Sequence, residues 1–600
     1  MIIPIIILGV AAILASGILF PHRRMLTFLG AAGALWQVGW LLLTLIDRTL
    51  LQEVSSQTVF VLGSAILLAI FAWQYKQWKL PYRSEVGTGK RDAWIFLPLA
   101  LVIAAAALIA SYNGFTDSKW ITHGFYNGDT ATLLALTQRS FGSSGLVTEN
   151  PFAGSGYLEY PTLLHASISS FLSGVGIGTN WFHFLPLFTY LQLAILVPLF
   201  FLIWDVVYPE PKSDRERWFG IPSRPLIYGI QTAVVIYVLA VSWDGYVYPQ
   251  SHFFLTAIFL LQVALLRVAY RLKGRQQLAH VLIAAAAGLV LLFSNAVTGT
   301  AAVALLLIFF ALRAIDKGRV VSERQAYIVA GMVAAVLYFI ATPGDAHFSL
   351  PGLSYTGAFD MLRLSIVVIP LVVAIFQQIS KEPFISASAS FLILLAFITF
   401  FFSGRDIVVG NASRFFYHGL LVGFPLMLSL IIQLFFYVRR ELIHTSKSVG
   451  EKATGWAAAV AVLMLVLLPA GGSIASAHDN LMFKDEQVIP TSMREILWWI
   501  EDNTEPDDVF VVSEQPPFAI PMFTGRSVLR ADYWLSPSDD MYQNVIQAYE
   551  GDIDAQLETL AAADFLVVTR DQQPVWESAI ADQELEVSFT NGAVTIYAIQ

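Results

Sequence analysis

Apolar residues along this chain gather into long blocks nearly free of charge, not into the short alternating or 3.6-period stretches of a soluble protein. Fourteen such blocks stand out, at 2–20, 25–46, 57–78, 93–111, 182–205, 226–243, 252–271, 277–295, 298–315, 325–342, 363–380, 385–403, 415–437 and 454–471. Each is long enough to cross a hydrocarbon core of about 30 Å as a helix. Two regions break the pattern. Tyr126–His165, "YNGDTATLLALTQRSFGSSGLVTENPFAGSGYLEYPTLLH", is polar and aromatic, with an amphipathic helix over "TATLLALTQRSF" and an irregular stretch over "NPFAGSGYLEYP". Past Gly472 the pattern predicts a capped helix over "TSMREILWWIEDN", buried strands over "DDVFVV" and "ADFLVV", and a helix over "GDIDAQLETLAA". The predicted fold class is a polytopic α-helical membrane protein of about 14 transmembrane helices with a C-terminal α/β domain. The expected boundaries are 1–85 for the first helices, 86–472 for a core carrying the loop 112–181, and 473–600 for the tail.

Composition agrees with the membrane reading. Only 13% of residues are charged and 56% are hydrophobic, with a mean hydropathy of +0.64; a soluble domain carries about 25% charged residues. Basic residues set the expected orientation, because loops rich in Lys and Arg stay in the cytoplasm. Of 35 such residues, 24 lie in the loops around Arg23, Lys76–Arg91, Lys212–Arg224, Arg267–Arg275, Arg313–Arg324, Lys381 and Arg439–Lys452. Six lie on the opposite face (Arg48, Lys119, Arg139, Arg363, Arg405, Arg414), and five lie in the tail. The N-terminus, the Tyr126–His165 loop and the tail are therefore expected to face outward. Pro161–Ile177 is apolar enough to span, but a crossing there would invert every later loop, so it is read as a helix along the outer surface. Met1–Phe20 lacks a basic start and precedes Arg23 and Arg24, which makes it an anchor and not a cleaved signal peptide. The chain has no Cys, which suits a prokaryotic envelope. Residues 479–600 hold 23 acidic and 5 basic residues, a net of −18, leaving +9 for the rest of a chain that totals −9. That acidity reads as a solvated surface, and no nucleic-acid partner is expected.

The predicted spans carry few ionisable residues away from their ends, which argues against an ion-coupled transporter. Polar residues cluster instead at Lys119–Tyr160, Trp243–His252, Pro343–Arg363 and Gly404–Tyr417. Asp129 stands just before the predicted amphipathic helix, where Asp is a favoured N-cap. Capping and catalysis are compatible roles for it.

"GDTATLLALTQRSFGSSGLVTENPFAGSGYLEYPTLLHASISSFLSGVGI" resembles the first outer loop of the GT-C membrane glycosyltransferases, above all the protein O-mannosyltransferases and lipid A aminoarabinose transferases. The resemblance covers roughly residues 93–600 and implies a GT-C-like transmembrane core, with the first three spans added before it. It implies Asp129 as the catalytic base, Arg139 as the late Arg of the loop helix, Gly156 with Tyr157 as the Gly-aromatic element, and "YPTLL" before a surface helix. Two positions depart from the family pattern. Thr130 follows Asp129 where the family has a second acid, and Tyr160 replaces the Lys that would meet the donor phosphate. "SGRDIVVGNASRFFYHGLLVGFPLMLSLII" resembles the family's late Arg-aromatic segment, which implies Arg414, with Arg405 nearby, as phosphate ligands; the other reading of an interfacial Arg is snorkelling to lipid headgroups.

The expected function is a glycosyltransferase that moves a sugar from a polyprenyl-phosphate donor to a hydroxyl of a lipid, glycan or protein acceptor on the outer face, with inversion. Donor phosphate would meet Arg414, Arg405 and Tyr160. Glu159, Tyr157, His165 and Arg139 would line the substrate site. No organic cofactor is expected. Asp244, in "SWDGYVYPQSHF", is the one candidate ligand for a divalent metal, and a turn before Gly245 also accounts for it. The alternatives are a lipid-linked polysaccharide polymerase or ligase, a transporter or flippase, and an envelope scaffold with a sensing tail.

Overall fold

The computed structural model describes residues 2–20, 25–77, 115–116, 119–122, 129–152, 158, 160–207, 251–316, 371–378, 381–402, 406–437, 487–488, 491–512, 519–529 and 539–599. The first helices are α1 (Ile2–Leu19), α2 (Met25–Thr49), α3 (Ser56–Gln77), α4 (Asp129–Gly142) and α5 (Leu163–Val175). After them come α6 (Leu185–Val207), α7 (Ser251–Arg271), α8 (Gly274–Ser294), α9 (Ala296–Asp316), α10 (Pro383–Phe402) and α11 (Asp406–Tyr437). All but α4 and α5 coincide with apolar blocks read from the sequence. The blocks at 93–111, 226–243, 325–342 and 454–471 lie outside the described residues, and that at 363–380 is described only over helical residues 371–378. Among the described residues, six helices (α1, α2, α3, α7, α8 and α9) are long and apolar enough to cross a membrane by length and composition. The chain is a multi-pass helical membrane protein with a small C-terminal sheet domain.

Contacts between helix ends agree with the two faces inferred from Lys and Arg. At the basic face, His280 near the start of α8 places Nε2 3.0 Å from the Leu19 carbonyl at the end of α1. There too, Arg267 of α7 donates to both carboxylate oxygens of Glu382, at 2.5 and 2.7 Å, just before α10. At the opposite face, the Arg48 guanidinium at the end of α2 donates to the Ser143 carbonyl, and Asn295 in the α8–α9 turn lies 3.4 Å from the Tyr160 hydroxyl. Between the faces the helices pack through apolar surface and a few buried amides. Gln262, for instance, donates to the Ala284 and Ala302 carbonyls at 3.1 Å each and so ties α7 to α8 and α9.

The helix expected over Pro161–Ile177 forms as α5 and does not span. Its 13 residues rise about 20 Å, short of the roughly 30 Å of a hydrocarbon core. In addition, Phe523 of the tail touches the chain on both sides of α5: its carbonyl accepts from Gln138 at 2.9 Å and its ring meets Phe182 at 4.9 Å. The chain before and after α5 is therefore on one side.

One boundary departs from the sequence reading. The block expected at 415–437 is part of a 32-residue helix beginning at Asp406, which rises about 48 Å and so runs well past a bilayer core. Asp is a residue type that favours helix N-termini by its charge, which accords with a start at Asp406.

The tail domain contains α12 (Thr491–Asn503), β4 (Val509–Val511), α13 (Ala519–Thr524), β5 (Ser527–Val528), α14 (Asp539–Glu550), α15 (Ile553–Leu560), β6 (Phe565–Thr569), α16 (Gln573–Asp582), β7 (Glu586–Thr590) and β8 (Val594–Ala598). Its sheet runs β5-β4-β6-β8-β7, parallel through β5, β4 and β6 and antiparallel through β8 and β7. The expected helices and strands all form, including α15, whose N-cap Asp552 accepts from the Ala555 N–H at 3.1 Å. A smaller sheet joins tail to loop: β1 (Phe115–Thr116) pairs with β2 (Lys119–Thr122), and β2 pairs antiparallel with β3 (Gln487–Val488).

Candidate functional site

The long polar loop folds around α4, which opens at Asp129. The side chain of Asp129 lies outside the described residues, as do Tyr157, Glu159, Asp244 and Arg405. Further along, Leu133, Leu134, Ala135 and Leu136 are all fully buried, because α4 packs both on α5 and on α13 of the tail.

His165 sits in the first turn of α5, fully buried, with Nδ1 3.4 Å from the Thr137 hydroxyl of α4. Burial pushes its pKa down to about 3, against a smaller opposing effect of backbone hydrogen bonding at Leu133, so the ring is neutral at physiological pH. Its Nε2 is buried without a partner. The Tyr160 ring lies 6.0 Å from it, at the start of the turn into α5. Tyr160 and His165 are thus brought together at the junction of loop and surface helix, beside the α8–α9 turn.

Arg139 is placed elsewhere. Ten residues beyond Asp129, it is about 15 Å away along the helix axis, and its Nη2 pairs with Glu149 across the loop. Its backbone is met by Gly525, whose φ of +73° lets α13 turn closely over the end of α4. Nearby, the Arg526 guanidinium is spent on the tail's own backbone, donating to the carbonyls of Thr524 (2.7 Å), Thr504 (2.7 Å) and Glu501 (3.1 Å). Burial lowers the Arg526 pKa and raises that of Asp508.

Arg414 is half-buried in α11, and its carbonyl accepts from His418 Nδ1 at 2.7 Å. It lies in the stretch of α11 preceding the apolar block.

Below the loop lies an apolar cavity of about 230 Å³. Trp36 and Trp40 of α2, Phe171 of α5, Phe188 of α6 and Phe254 of α7 line it. The two indoles stack at 5.5 Å, and Phe171 meets them edge-on at 5.6 and 5.8 Å. Trp40 also donates to the Ser167 carbonyl at 3.1 Å, fixing α5 to the membrane helix. The cavity therefore connects lipid-compatible helices to the surface helix of the loop.

Among the described residues, no group of three or more His, Asp or Glu side chains is placed to hold a metal ion. Sequence reasoning had no route to Thr137, Glu149, Asn295 and Gly525, which join the loop to its surroundings.

No family model and no curated relative matches the chain. Among solved structures, ArnT from Cupriavidus metallidurans in the apo state is similar at a TM-score of 0.44 and 12% identity, covering 85% of this chain and 99% of that one. ArnT bound to undecaprenyl phosphate gives 0.41 and 12%, covering 85% and 98%. The Archaeoglobus fulgidus oligosaccharyltransferase in complex with Zn and sulfate gives 0.44 and 12%, covering 83% of this chain and 73% of that one. Both enzymes are GT-C superfamily membrane glycosyltransferases. At this identity and TM-score they are distant likenesses, and the chemistry of the site is carried by this chain's own residues.

Proposed function

We propose that the protein is a membrane glycosyltransferase that moves a sugar from a polyprenyl-phosphate donor to an acceptor hydroxyl on the outer face of the membrane. The observation that supports this reading is the setting of α4: a helix opening at Asp129, packed on α5 and on the tail domain, with α5 in turn lining an apolar cavity among membrane helices. A polar constellation at the boundary of an apolar compartment suits a substrate with a lipid tail and a sugar-phosphate head.

Asp129 takes the proton from the acceptor hydroxyl as its oxygen attacks the anomeric carbon. The bond from that carbon to the phosphate oxygen breaks, and the phosphate departs on its lipid carrying the negative charge. Attack opposite the leaving group inverts the anomeric centre. Arg414 and Arg405, with Tyr160, hold the phosphate as its charge grows. The neutral His165 ring braces α4 against α5, and the lipid chain occupies the apolar cavity. The tail faces outward with the loop to which it is bound.

The test is transfer from a panel of radiolabelled polyprenyl-phosphate sugars to envelope acceptors, with wild type and Asp129→Asn at matched expression. Loss of transfer in a variant that folds and still binds donor supports Asp129 as base. Equal transfer by both would reduce Asp129 to a helix cap and move the search to Asp244 or Glu159.

A further inference from the structure

Asn295 is the single residue between α8, which ends at Ser294, and α9, which begins at Ala296. It is 2% exposed, and its backbone is held on both sides: its N–H donates to the Leu291 carbonyl at 3.0 Å, and its own carbonyl accepts from Gly299 at 2.8 Å. The two helices meet so closely that a Cβ on Gly299 would lie 2.4 Å from Leu292 Cα. The side chain is fixed as well, since Oδ1 accepts from the Thr298 N–H at 3.0 Å and so caps α9. That bond settles which end of the amide is which, and the nitrogen faces the Tyr160 hydroxyl at 3.4 Å.

Capping alone does not call for this residue. Ser and Asp cap a helix as well as Asn does, but Asn joins to its capping oxygen an NH2 group that reaches away from the helix. Here it reaches across 135 positions to the loop. The Tyr160 ring packs on Leu136, Val147 and Leu158 of that loop, and its hydroxyl extends to the α8–α9 turn. An amide NH2 can only donate, so the phenol oxygen accepts. A hydroxyl that accepts one hydrogen bond gives its own proton more strongly, and an anionic acceptor strengthens the chain further. A phenol has a single O–H, so its direction decides whether it meets an anion at all, whereas an ammonium with three donors tolerates misplacement.

We infer that Asn295 is a positioning residue for the donor phosphate: from a rigid turn between two membrane helices it holds the Tyr160 hydroxyl and polarises it toward that phosphate. The inference rests on the transferase reading above, in which Tyr160 meets the phosphate, and deepens it. The loop supplies the phenol, and the membrane bundle sets its aim.

The full chain in detergent is titrated calorimetrically with farnesyl phosphate and, as the headgroup control, with farnesol. Wild type, Asn295→Ser, Tyr160→Phe and the double variant are compared; Ser keeps the cap and loses the reach to Tyr160. Tyr160→Phe should weaken farnesyl phosphate binding about tenfold and Asn295→Ser about threefold, and the double variant should bind like Tyr160→Phe alone. Farnesol binding should be the same in all four, which a general loosening of the fold would not leave intact. Asn295→Asp keeps both size and cap but takes the phenol proton for itself, so it should bind farnesyl phosphate more weakly than Asn295→Ser and farnesol as wild type does. Absence of farnesyl phosphate binding to wild type, wild-type affinity in either Asn295 variant, an equal loss of farnesol binding, or multiplied losses of about thirtyfold in the double variant overturns the positioning role. The two readings fail separately. Transfer by wild type with donor KM and kcat unchanged in Asn295→Ser removes the positioning role and leaves the transferase. Coupled loss of farnesyl phosphate binding, without transfer from any polyprenyl-phosphate sugar, leaves a lipid-phosphate site and removes the transferase.

Discussion

Replacing Gly525 with Ala tests whether the tail positions the loop helix. Gly525 has φ +73°, and a Cβ there would sit 2.9 Å from both Arg139 N and Gln138 C, and 3.2 Å from Arg139 Cα. These are backbone atoms of α4, which cannot rotate out of the way as a side chain would. Left-handed backbone costs an alanine about 1 kcal/mol, and overpacking against a fixed neighbour adds about 1–3 kcal/mol. Gly592→Ala provides the control. Its φ is +80° but nothing lies within 4 Å of the new Cβ, so only the conformational cost applies, and it falls on the β7–β8 turn. The Val528 N–H, which donates to the Pro151 carbonyl at 2.9 Å, reports docking directly. Loss of about 2–4 kcal/mol in Gly525→Ala should speed its hydrogen exchange by about 30-fold or more, with parallel loss of protection in the second half of α4. Gly592→Ala should leave both unchanged. If Val528 exchange in Gly525→Ala stays close to wild type, or if the two variants behave alike, the tail does not hold α4 by this contact.

Two further outcomes follow from the buried polar groups. Glu382→Ala should lower stability by about 3–5 kcal/mol, because Arg267, 2% exposed, loses the carboxylate that binds it in two places; Arg267→Met in the same chain should recover much of the loss in detergent thermal unfolding. His165, with its pKa lowered to about 3 in the folded state, has a stabilising neutral form above about pH 6.5 that is lost progressively as pH falls toward 3, since the unfolded ring takes up a proton first. Between pH 7 and 5 this amounts to about 2 kcal/mol, read as faster exchange of α4 and α5 amides at acid pH after correction for intrinsic rates, and His165→Asn should flatten it.

The membrane helices were legible because each announces itself locally: a charge-free run of about 20 residues has few other folds open to it. The tail's helices and strands were legible for the same reason, through period and caps. What sequence could not supply are the contacts that make the loop a site. Gln138 meets Phe523 across 385 positions, and Arg48 meets Ser143 across 95. Nothing in the local pattern of either partner marks the other. The start of α11 at Asp406 is not legible in the pattern, because "DIVVGNAS" is too polar for a span and reads as loop. It is a helix that continues beyond the apolar block.

The first helices illustrate the same limit with a consequence for function. The family resemblance implies that α1, α2 and α3 are an addition before the core. In the structure α2 braces the loop at three points: Arg48 donates to the Ser143 carbonyl and lies 3.3 Å from the Ser170 hydroxyl, and Trp40 donates to the Ser167 carbonyl. It also packs tightly against α6, where a Cβ on Gly30 would lie 2.7 Å from that of Pro198. The wall of the apolar cavity formed by Trp36 and Trp40 belongs to α2 as well. Deleting these helices would therefore open the cavity and release α5 together. A chain without them tests the stability of the loop's support, whereas substitutions at Trp36 or Trp40 address the cavity with α2 still in place.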